Sequence, residues 1–212
     1  MILNPPIESY LAELQPEPDP IRAEMERLAT ERDFPIVGPQ VGSLLAILTL
    51  AMGAGRILEL GSGFGYSALW FARALPEDGS VQLTDFSQAA LDEARGFLDR
   101  AGQAHKARFH QGDGLDTASG LEGPFDIIFN DIDKEHYPEV VDRAVALLRP
   151  GGLLVTDNAL WYGKPADPDI RDDGATEGVR EYNRRVMSHP ALRTVILPLR
   201  DGVAVSLKTE PA

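Results

Sequence analysis

Apolar runs alternate with amphipathic stretches along most of this chain. Short runs of apolar residues predict buried strands, and longer segments with apolar residues at helical spacing predict helices. The predicted strands cover residues 56–60, 81–84, 107–110, 125–130 and 153–156, and the predicted helices cover residues 40–52, 66–74, 88–101 and 138–148. Such alternation is typical of a parallel, doubly wound α/β sheet. Residues 149–152, Arg-Pro-Gly-Gly, predict a turn before the last of these strands.

The end of the chain departs from this alternation. Residues 193–199 and 203–208 form two β runs, and the intervening Arg-Asp-Gly at 200–202 is typical of a hairpin. A hairpin places one strand antiparallel to its neighbours. We therefore predict a single α/β domain with a doubly wound, mostly parallel, Rossmann-like sheet of seven strands and one antiparallel edge strand.

The first 35 residues differ from the rest. They are polar and interrupted by prolines, with one helix predicted over residues 21–32. We interpret residues 1–35 as a helical arm that acts as a lid or an interface, and residues 36–212 as the main domain.

Composition and charge exclude several classes of function. The chain has 212 residues, of which 43% are hydrophobic, and this suits one domain with a full core. A net charge of −13 argues against a nucleic-acid partner, since phosphate binding needs a basic surface. The absence of cysteine excludes thiolate metal sites and favours a cytoplasmic location. The chain starts without a secretory signal, and its longest apolar stretch, residues 41–52, is too short and too interrupted to span a bilayer, so we expect no membrane partner.

Polar residues follow two of the predicted strands directly. Asp131 comes after residues 125–130, with Lys134 three residues further on, and Asp157 and Asn158 come after residues 153–156. Ends of neighbouring parallel strands lie about 4.8 Å apart. The two carboxylates and the amide carbonyl can then converge on one hard cation such as Mg²⁺, which prefers oxygen ligands. The alternative is that each aspartate caps the element after its strand.

A glycine-rich turn at residues 61–65, Gly-Ser-Gly-Phe-Gly, follows the first predicted strand and opens a helix. Such a turn lets the backbone approach a ligand closely. A dinucleotide fingerprint would have glycine at position 66, where this chain has Tyr66, so a pyrophosphate site is disfavoured. Glu59 suits an ammonium or sulfonium group, Asp85 suits the hydroxyls of a ribose, and residues 112–114 are candidates for contact with an adenine.

Four motifs in order resemble one known family. They are Leu-Glu-Leu-Gly-Ser-Gly-Phe-Gly-Tyr-Ser at 58–67, Asn-Asp-Ile-Asp-Lys-Glu-His-Tyr at 130–137, Gly-Gly-Leu-Leu-Val-Thr-Asp-Asn-Ala-Leu-Trp-Tyr-Gly at 151–163 and Val-Arg-Glu-Tyr-Asn at 179–183. Over roughly residues 39–208 the chain resembles the cation-dependent class I O-methyltransferases, which include catechol and caffeoyl-CoA O-methyltransferases. The proline-rich arm is unlike the start of the plant enzymes, so recognition of a CoA ester is not implied.

The resemblance implies a cofactor, a metal and a catalytic residue. It implies that Asp131, Asp157 and Asn158 hold a divalent cation, most often Mg²⁺, and that Lys134 is the catalytic lysine, with Asp131 beside it. It also implies a homodimer. S-adenosylmethionine is expected to lie along Glu59, Gly61, Ser62, Gly63, Ser67, Asp85, Asp113, Gly114 and Asp131.

We therefore expect an O-methyltransferase that depends on S-adenosylmethionine and a divalent cation and acts on a small vicinal dihydroxy aromatic, with Lys134 as general base. Trp161 and Tyr162 are candidates to stack on the acceptor ring, although both also suit ordinary packing, and Arg180 is a candidate for the pocket rim. Asp201 is interpreted as a hairpin residue. Two alternatives stay open: a non-catalytic module that binds S-adenosylmethionine or a metal, and an NAD-linked oxidoreductase.

Overall fold

Within residues 4–210, which the computed structural model describes, seven strands form one sheet and eight α-helices surround it. The strands are β1 (Arg56–Leu60), β2 (Ser80–Asp85), β3 (Ala107–Gln111), β4 (Phe125–Asn130), β5 (Leu148–Thr156), β6 (Leu192–Leu197) and β7 (Val203–Lys208). The helices are α1 (Pro5–Glu13), α2 (Pro20–Glu31), α3 (Gly38–Met52), α4 (Tyr66–Ala74), α5 (Gln88–Arg100), α6 (Gly114–Ser119), α7 (Tyr137–Leu147) and α8 (Gly174–Ser188).

The sheet has the strand order β3-β2-β1-β4-β5-β7-β6. Neighbouring strands from β3 to β5 are parallel, and β7 is antiparallel to both β5 and β6. The predicted fold is confirmed, including the antiparallel pair formed by the last two strands. The antiparallel strand β7 lies one position in from the edge, because the hairpin returns it to pair with the buried strand β5, and β6 is the edge strand.

Two apolar layers cover the two faces of the sheet. Successive side chains of a strand point to opposite faces, so neighbours in β1 enter different layers. Ile57 packs with residues of α2, α3, α4 and α5, whereas Leu58 packs with residues of α6, α7 and α8. Both layers contain fully buried aromatic side chains, Phe71 and Phe129 in the first and Tyr137 and Tyr182 in the second.

The predicted turn at residues 149–152 is wrong in one respect, since these residues lie within β5. The pairing of β4 with β5 shifts there, from Phe125 opposite Leu148 to Ile127 opposite Leu153, so the four residues form a bulge. Asp126 stabilises this irregular segment, because its carboxylate accepts hydrogen bonds from Arg149 Nε (2.6 Å) and from the backbone N–H groups of Gly55 and Arg56.

The predicted arm contains two helices of different character. α1, which was not predicted, buries none of its side chains, and this explains its weak sequence signal. α2 places Met25 in the first apolar layer, and Asp19 at its start forms an ion pair with Arg73 of α4 (2.7 Å). The boundary at residue 35 stays a prediction, and residues 1–3 and 211–212 lie outside the described part.

Within residues 4–210, none of the helices has both the length and the apolar character that a membrane crossing requires.

The turn after β1 requires glycine at its first position. Gly61 has a φ of +80°, and an added Cβ would lie 2.5 Å from the carbonyl oxygen of Asp131. The chain that leaves β1 therefore contacts the chain that leaves β4.

We expect Gly61→Ala to lower the free energy of unfolding by about 3 kcal/mol, since the left-handed backbone costs an alanine roughly 1–2 kcal/mol and the collision adds to it. Gly53→Ala is the matched control, because Gly53 has a φ of +58° and nothing within 4 Å of an added Cβ. Urea denaturation of both variants measures the difference. Equal losses would contradict the close contact between the two strand ends.

Candidate active site

The carboxyl ends of four strands lie in one row. Pairing places these residues side by side across the sheet: Thr84, Leu60, Asn130 and Thr156. Asp85, the last residue of β2, and Gly61, Asp131 and Asp157, which follow β1, β4 and β5, therefore lie at the same edge of the sheet. Backbone hydrogen bonds continue between them, from Asp131 N–H to Leu60 O (2.9 Å) and from Asp157 N–H to Asn130 O (3.1 Å).

A cavity of about 400 Å³ opens above this row. It brings together most of the residues that the sequence predicted for the site: Gly61, Ser62, Gly63, Ser67, Asp85, Gly114, Asp131, Lys134, Asp157, Asn158, Trp161 and Tyr162. Three predicted residues, Glu59, Asp113 and Arg180, do not line it. Cofactor, metal and substrate candidates thus share one cavity.

Glu59 lies beneath the glycine turn and is fully buried. Ser67 Oγ donates a hydrogen bond to Glu59 Oε1, and Oε2 has no partner among the described residues. Burial raises the pKa of Glu59 to about 8, against a smaller opposite effect of the hydrogen bond from Ser67. The structure therefore places this carboxyl group below the cavity, where it supports the turn.

The carboxylates of Asp113 and Asp85 both accept hydrogen bonds from backbone N–H groups, but at different positions. Asp113 caps α6, since its Oδ1 accepts hydrogen bonds from the N–H groups of Leu115 (2.9 Å) and Asp116 (2.8 Å). That engagement explains why Gly114 reaches the cavity and the Asp113 side chain does not. Asp85 lines the cavity, and its Oδ2 accepts a hydrogen bond from Gly63 N–H (2.8 Å).

Asp131 and Asp157 form an acidic pair at the floor of the cavity. Burial, together with the nearby charge of Asp131, raises the pKa of Asp157 to about 7. Burial also raises the pKa of Asp131, while Lys134 opposes this effect. Lys134 Nζ donates to Asp131 Oδ1 (3.0 Å) and to Ile132 O (3.2 Å).

The donors in this cavity fit a divalent cation. Asp157 Oδ1 is buried and has no hydrogen-bond partner among the described residues. Asn158 directs its amide nitrogen towards Asp201 Oδ2 (3.4 Å), and among residues 4–210 its carbonyl oxygen accepts no hydrogen bond. A cation would relieve the repulsion between the two carboxylates, and oxygen atoms are its preferred ligands. The described residues contain no group of three or more His, Cys, Asp or Glu side chains placed to hold a metal ion, and the third donor predicted here is the amide of Asn158.

Aromatic residues form one wall of the cavity. The Trp161 and Tyr162 rings lie 5.1 Å apart, and both residues have positive φ. Asp201 Oδ1 accepts a hydrogen bond from Tyr162 N–H (2.5 Å). Asp201 is thus both a residue of the predicted hairpin and a support for the aromatic wall, and it also lines the cavity.

Arg180, predicted at the pocket rim, does not line the cavity, and its role as a substrate contact stays a prediction. Its guanidinium group donates hydrogen bonds to a set of loop carbonyl oxygens, those of Lys164, Pro165, Asp167 and Ile170. The side chain leaves α8 towards this loop and stabilises it. Asn183, on the same helix, donates to Ala159 O (2.7 Å) and so holds the segment between Asn158 and Trp161.

The segment between α2 and α3 forms a wall that sequence reasoning missed. Phe34, Pro35, Ile36 and Val37 line the cavity, together with Arg200 of the hairpin. The Phe34 ring contacts the Phe64 ring of the glycine turn, with centroids 5.2 Å apart. The sequence signal for this wall, which was not used, is the apolar run at residues 34–37 directly after a polar arm.

Glu59 gives the fold a specific pH dependence. Its pKa of about 8 in the folded chain exceeds the ordinary value of 4.5, so its contribution to stability is fully present below about pH 4.5 and is lost as the pH rises through about 8. We expect the free energy of unfolding to fall less between about pH 5 and about pH 8 in Glu59→Gln than in the wild type. Urea denaturation at both pH values measures this, with Glu13→Gln on the exposed α1 as control. Identical pH slopes in Glu59→Gln and the wild type would contradict the assignment.

Comparison with known proteins gives the family of this chain. The model of a family described as O-methyltransferase matches residues 18–209. The chain is 33% identical over 213 residues to a catechol O-methyltransferase from Niastella koreensis, covering 95% of this chain and 96% of that protein. It is 36% identical over 176 residues to tricin synthase 1 from Oryza sativa subsp. japonica, covering 76% and 70%.

Solved structures agree with this result. The O-methyltransferase TomG from Streptomyces achromogenes, involved in tomaymycin synthesis and solved with S-adenosylmethionine, has a TM-score of 0.87 and 31% identity, covering 96% of each chain. An O-methyltransferase from Bacillus cereus, solved with S-adenosylhomocysteine, has a TM-score of 0.86 and 27% identity, covering 96% of this chain and 97% of that one. The chain therefore belongs to the class I O-methyltransferase family, whose members use S-adenosylmethionine.

Proposed function

We propose that this O-methyltransferase methylates one hydroxyl group of a vicinal dihydroxy aromatic, with Lys134 as general base and a divalent cation held by Asp131, Asp157 and Asn158. One observation carries the proposal: an amine, two carboxylates and an amide oxygen face a single cavity beside the glycine turn. The names of several relatives, among them a catechol O-methyltransferase and caffeoyl-CoA O-methyltransferases, support the acceptor class.

The cation is most often Mg²⁺ in sites of this donor type. When bound, it supplies positive charge that lowers the pKa of a chelated phenol and fixes the phenol oxygen in place. Asp157 and Asn158 are adjacent residues at the end of β5, and Asp131 follows the neighbouring strand β4. The three proposed donors follow two strands that are hydrogen-bonded to each other, and this pairing brings them to the same edge of the sheet.

Lys134 is positioned to accept the phenol proton. Its Nζ lies 5.4 Å from the centre of the Trp161 ring and 5.3 Å from that of Tyr137, and its side chain is 14% exposed. The hydrogen bond from its Nζ to Asp131 Oδ1 (3.0 Å) holds the amine beside the proposed cation ligands, where it would act as the general base. Trp161 and Tyr162 would stack on the acceptor ring.

The remaining cavity residues are proposed to hold S-adenosylmethionine. Asp85 would accept hydrogen bonds from the ribose hydroxyls, while the backbone of Gly61 and Gly63 allows close approach of the cofactor. The activated methyl group is the cofactor's own chemistry, so the protein contributes mainly orientation. Orientation of prealigned reactants can lower a barrier by up to about 7–11 kcal/mol.

Two alternatives have less support. A non-catalytic binding module would have no use for Lys134 beside the acidic pair. An NAD-linked oxidoreductase is disfavoured by Tyr66 at the position of the third glycine and by the family of the chain. A homodimer, a cytoplasmic location and the absence of nucleic-acid and membrane partners stay predictions.

Replacement of Lys134 tests the general base. We expect Lys134→Met to lower kcat for methyl transfer to 4-methylcatechol by roughly 100-fold or more, since general-base catalysis contributes on this scale. Lys164→Met is the matched control, because Lys164 Nζ lies 5.8 Å from the same Trp161 ring but is paired with Asp173 and does not line the cavity. A labelled-methyl assay measures both. Equal activity of the two variants would remove Lys134 from the mechanism.

Removal of a metal ligand tests the cation. We expect EDTA to abolish methyl transfer and added Mg²⁺ to restore it, and Asp157→Asn to raise the Mg²⁺ concentration for half-maximal rate by more than about tenfold. Asp116→Asn, at an exposed position outside the cavity, is the control. Full activity in EDTA after extensive dialysis would show that the reaction needs no divalent cation.

A further inference from the structure

A second cavity, of about 750 Å³, lies between the N-terminal arm and the main domain. Its walls come from α1, the 15–18 segment, α2, the start of α3 and three residues near the active site, Tyr162, Arg200 and Asp201. The same three residues line the first cavity. The two cavities are therefore neighbours.

The arm is fixed where the two cavities meet. Tyr66, which lines the first cavity, donates a hydrogen bond from its hydroxyl group to Glu26 Oε1 (2.7 Å), and Glu26 lines the second cavity. Arg200 Nη1 donates to Ile36 O (2.7 Å), which ties the hairpin to the segment after α2. These bonds give the second cavity a defined wall close to the catalytic residues.

Negative charge exceeds positive charge in the lining of the second cavity. Four carboxyl-bearing residues line it, Glu8, Glu17, Glu26 and Asp201, against two arginines, Arg22 and Arg200. An anionic ligand entering this cavity meets net repulsion, and a cationic ligand meets net attraction.

Arg22 provides an independent indication of a ligand. The residue is 7% exposed, and its guanidinium group lies 4.6 Å from the centre of the Trp70 ring. Its nearest carboxylate oxygens, on Asp19 and Glu26, are 3.7 Å and 4.0 Å away, beyond hydrogen-bond distance. Among the described residues its side chain donates no hydrogen bond, and its Nε is buried without a partner. A buried donor group without an acceptor is costly, and a ligand oxygen would satisfy it.

We propose that the second cavity is a subsite for the substituent of the acceptor. It takes an uncharged or positively charged chain with a hydroxyl or carbonyl oxygen that accepts a hydrogen bond from Arg22, and it rejects polyanionic chains such as a CoA thioester. This inference rests on the proposed methylation of a vicinal dihydroxy aromatic, and it names the substituents that such an acceptor carries.

Matched acceptors test the proposal. Three compounds share a 3,4-dihydroxyphenyl ring and a two-carbon chain that ends in an amine, a hydroxyl or a carboxylate, and 4-methylcatechol lacks the chain. We expect kcat/KM at low ionic strength for the amine and the alcohol to exceed that for the acid by roughly tenfold in the wild type. The double variant Glu8→Gln, Glu17→Gln should reduce the amine-to-acid ratio, and Glu8→Lys, Glu17→Lys should invert it.

4-Methylcatechol, which lacks the two-carbon chain, distinguishes the proposed methylation from the proposed subsite. With 4-methylcatechol, kcat/KM should stay within roughly twofold of the wild type in both double variants, since only the substituent reaches the charged lining. Arg22→Gln should raise KM for the alcohol while leaving kcat for 4-methylcatechol unchanged, with thermal melting as a check on folding. Suppose that 4-methylcatechol is methylated, but that the amine-to-acid ratio of kcat/KM is near one and does not respond to the charge changes. That result would overturn the subsite alone. No methylation of any catechol would overturn the proposed function and the subsite with it.

Discussion

Backbone hydrogen bonding between the ends of β1, β4 and β5 is the constraint on which the site depends. The Asp131 N–H donates to Leu60 O and the Asp157 N–H to Asn130 O, so the chains leave the sheet in step. A shift of one residue in either pairing would turn the side chains of that strand to the opposite face of the sheet. Gly61 allows the closest of these approaches, since any side chain there would collide with the Asp131 carbonyl.

The carboxyl ends of these strands bring together buried carboxyl groups, and their burial is unfavourable for folding. Burial raises the pKa values of Glu59, Asp131 and Asp157, and the amine of Lys134 contacts only Asp131 of the pair at the cavity floor. Buried charges destabilise a fold unless they are paired, so the apolar layers on both faces must offset this cost. The same arrangement creates a strong local field, which is what binding of a cation and stabilisation of a developing charge require.

The sequence predicted the parts of the fold that local pattern determines. Apolar runs located the seven strands, and the residues directly after β1, β4 and β5 located the cavity. Arg180 shows the limit of this reasoning, because only the packing of α8 against the 161–170 loop decides where its guanidinium group points. The second cavity was likewise beyond prediction, since it arises where α1, an exposed helix with a weak apolar pattern, passes in front of the hairpin.

We propose that the strand ends assemble one cation site beside the glycine turn. Anomalous diffraction from crystals grown with S-adenosylhomocysteine and Mn²⁺, a cation that also prefers oxygen ligands, tests it most directly. We expect a single anomalous peak within about 2.5 Å of oxygen atoms of Asp131, Asp157 and Asn158. Bound S-adenosylhomocysteine with no peak at these three residues, or with Mn²⁺ held elsewhere, would contradict it.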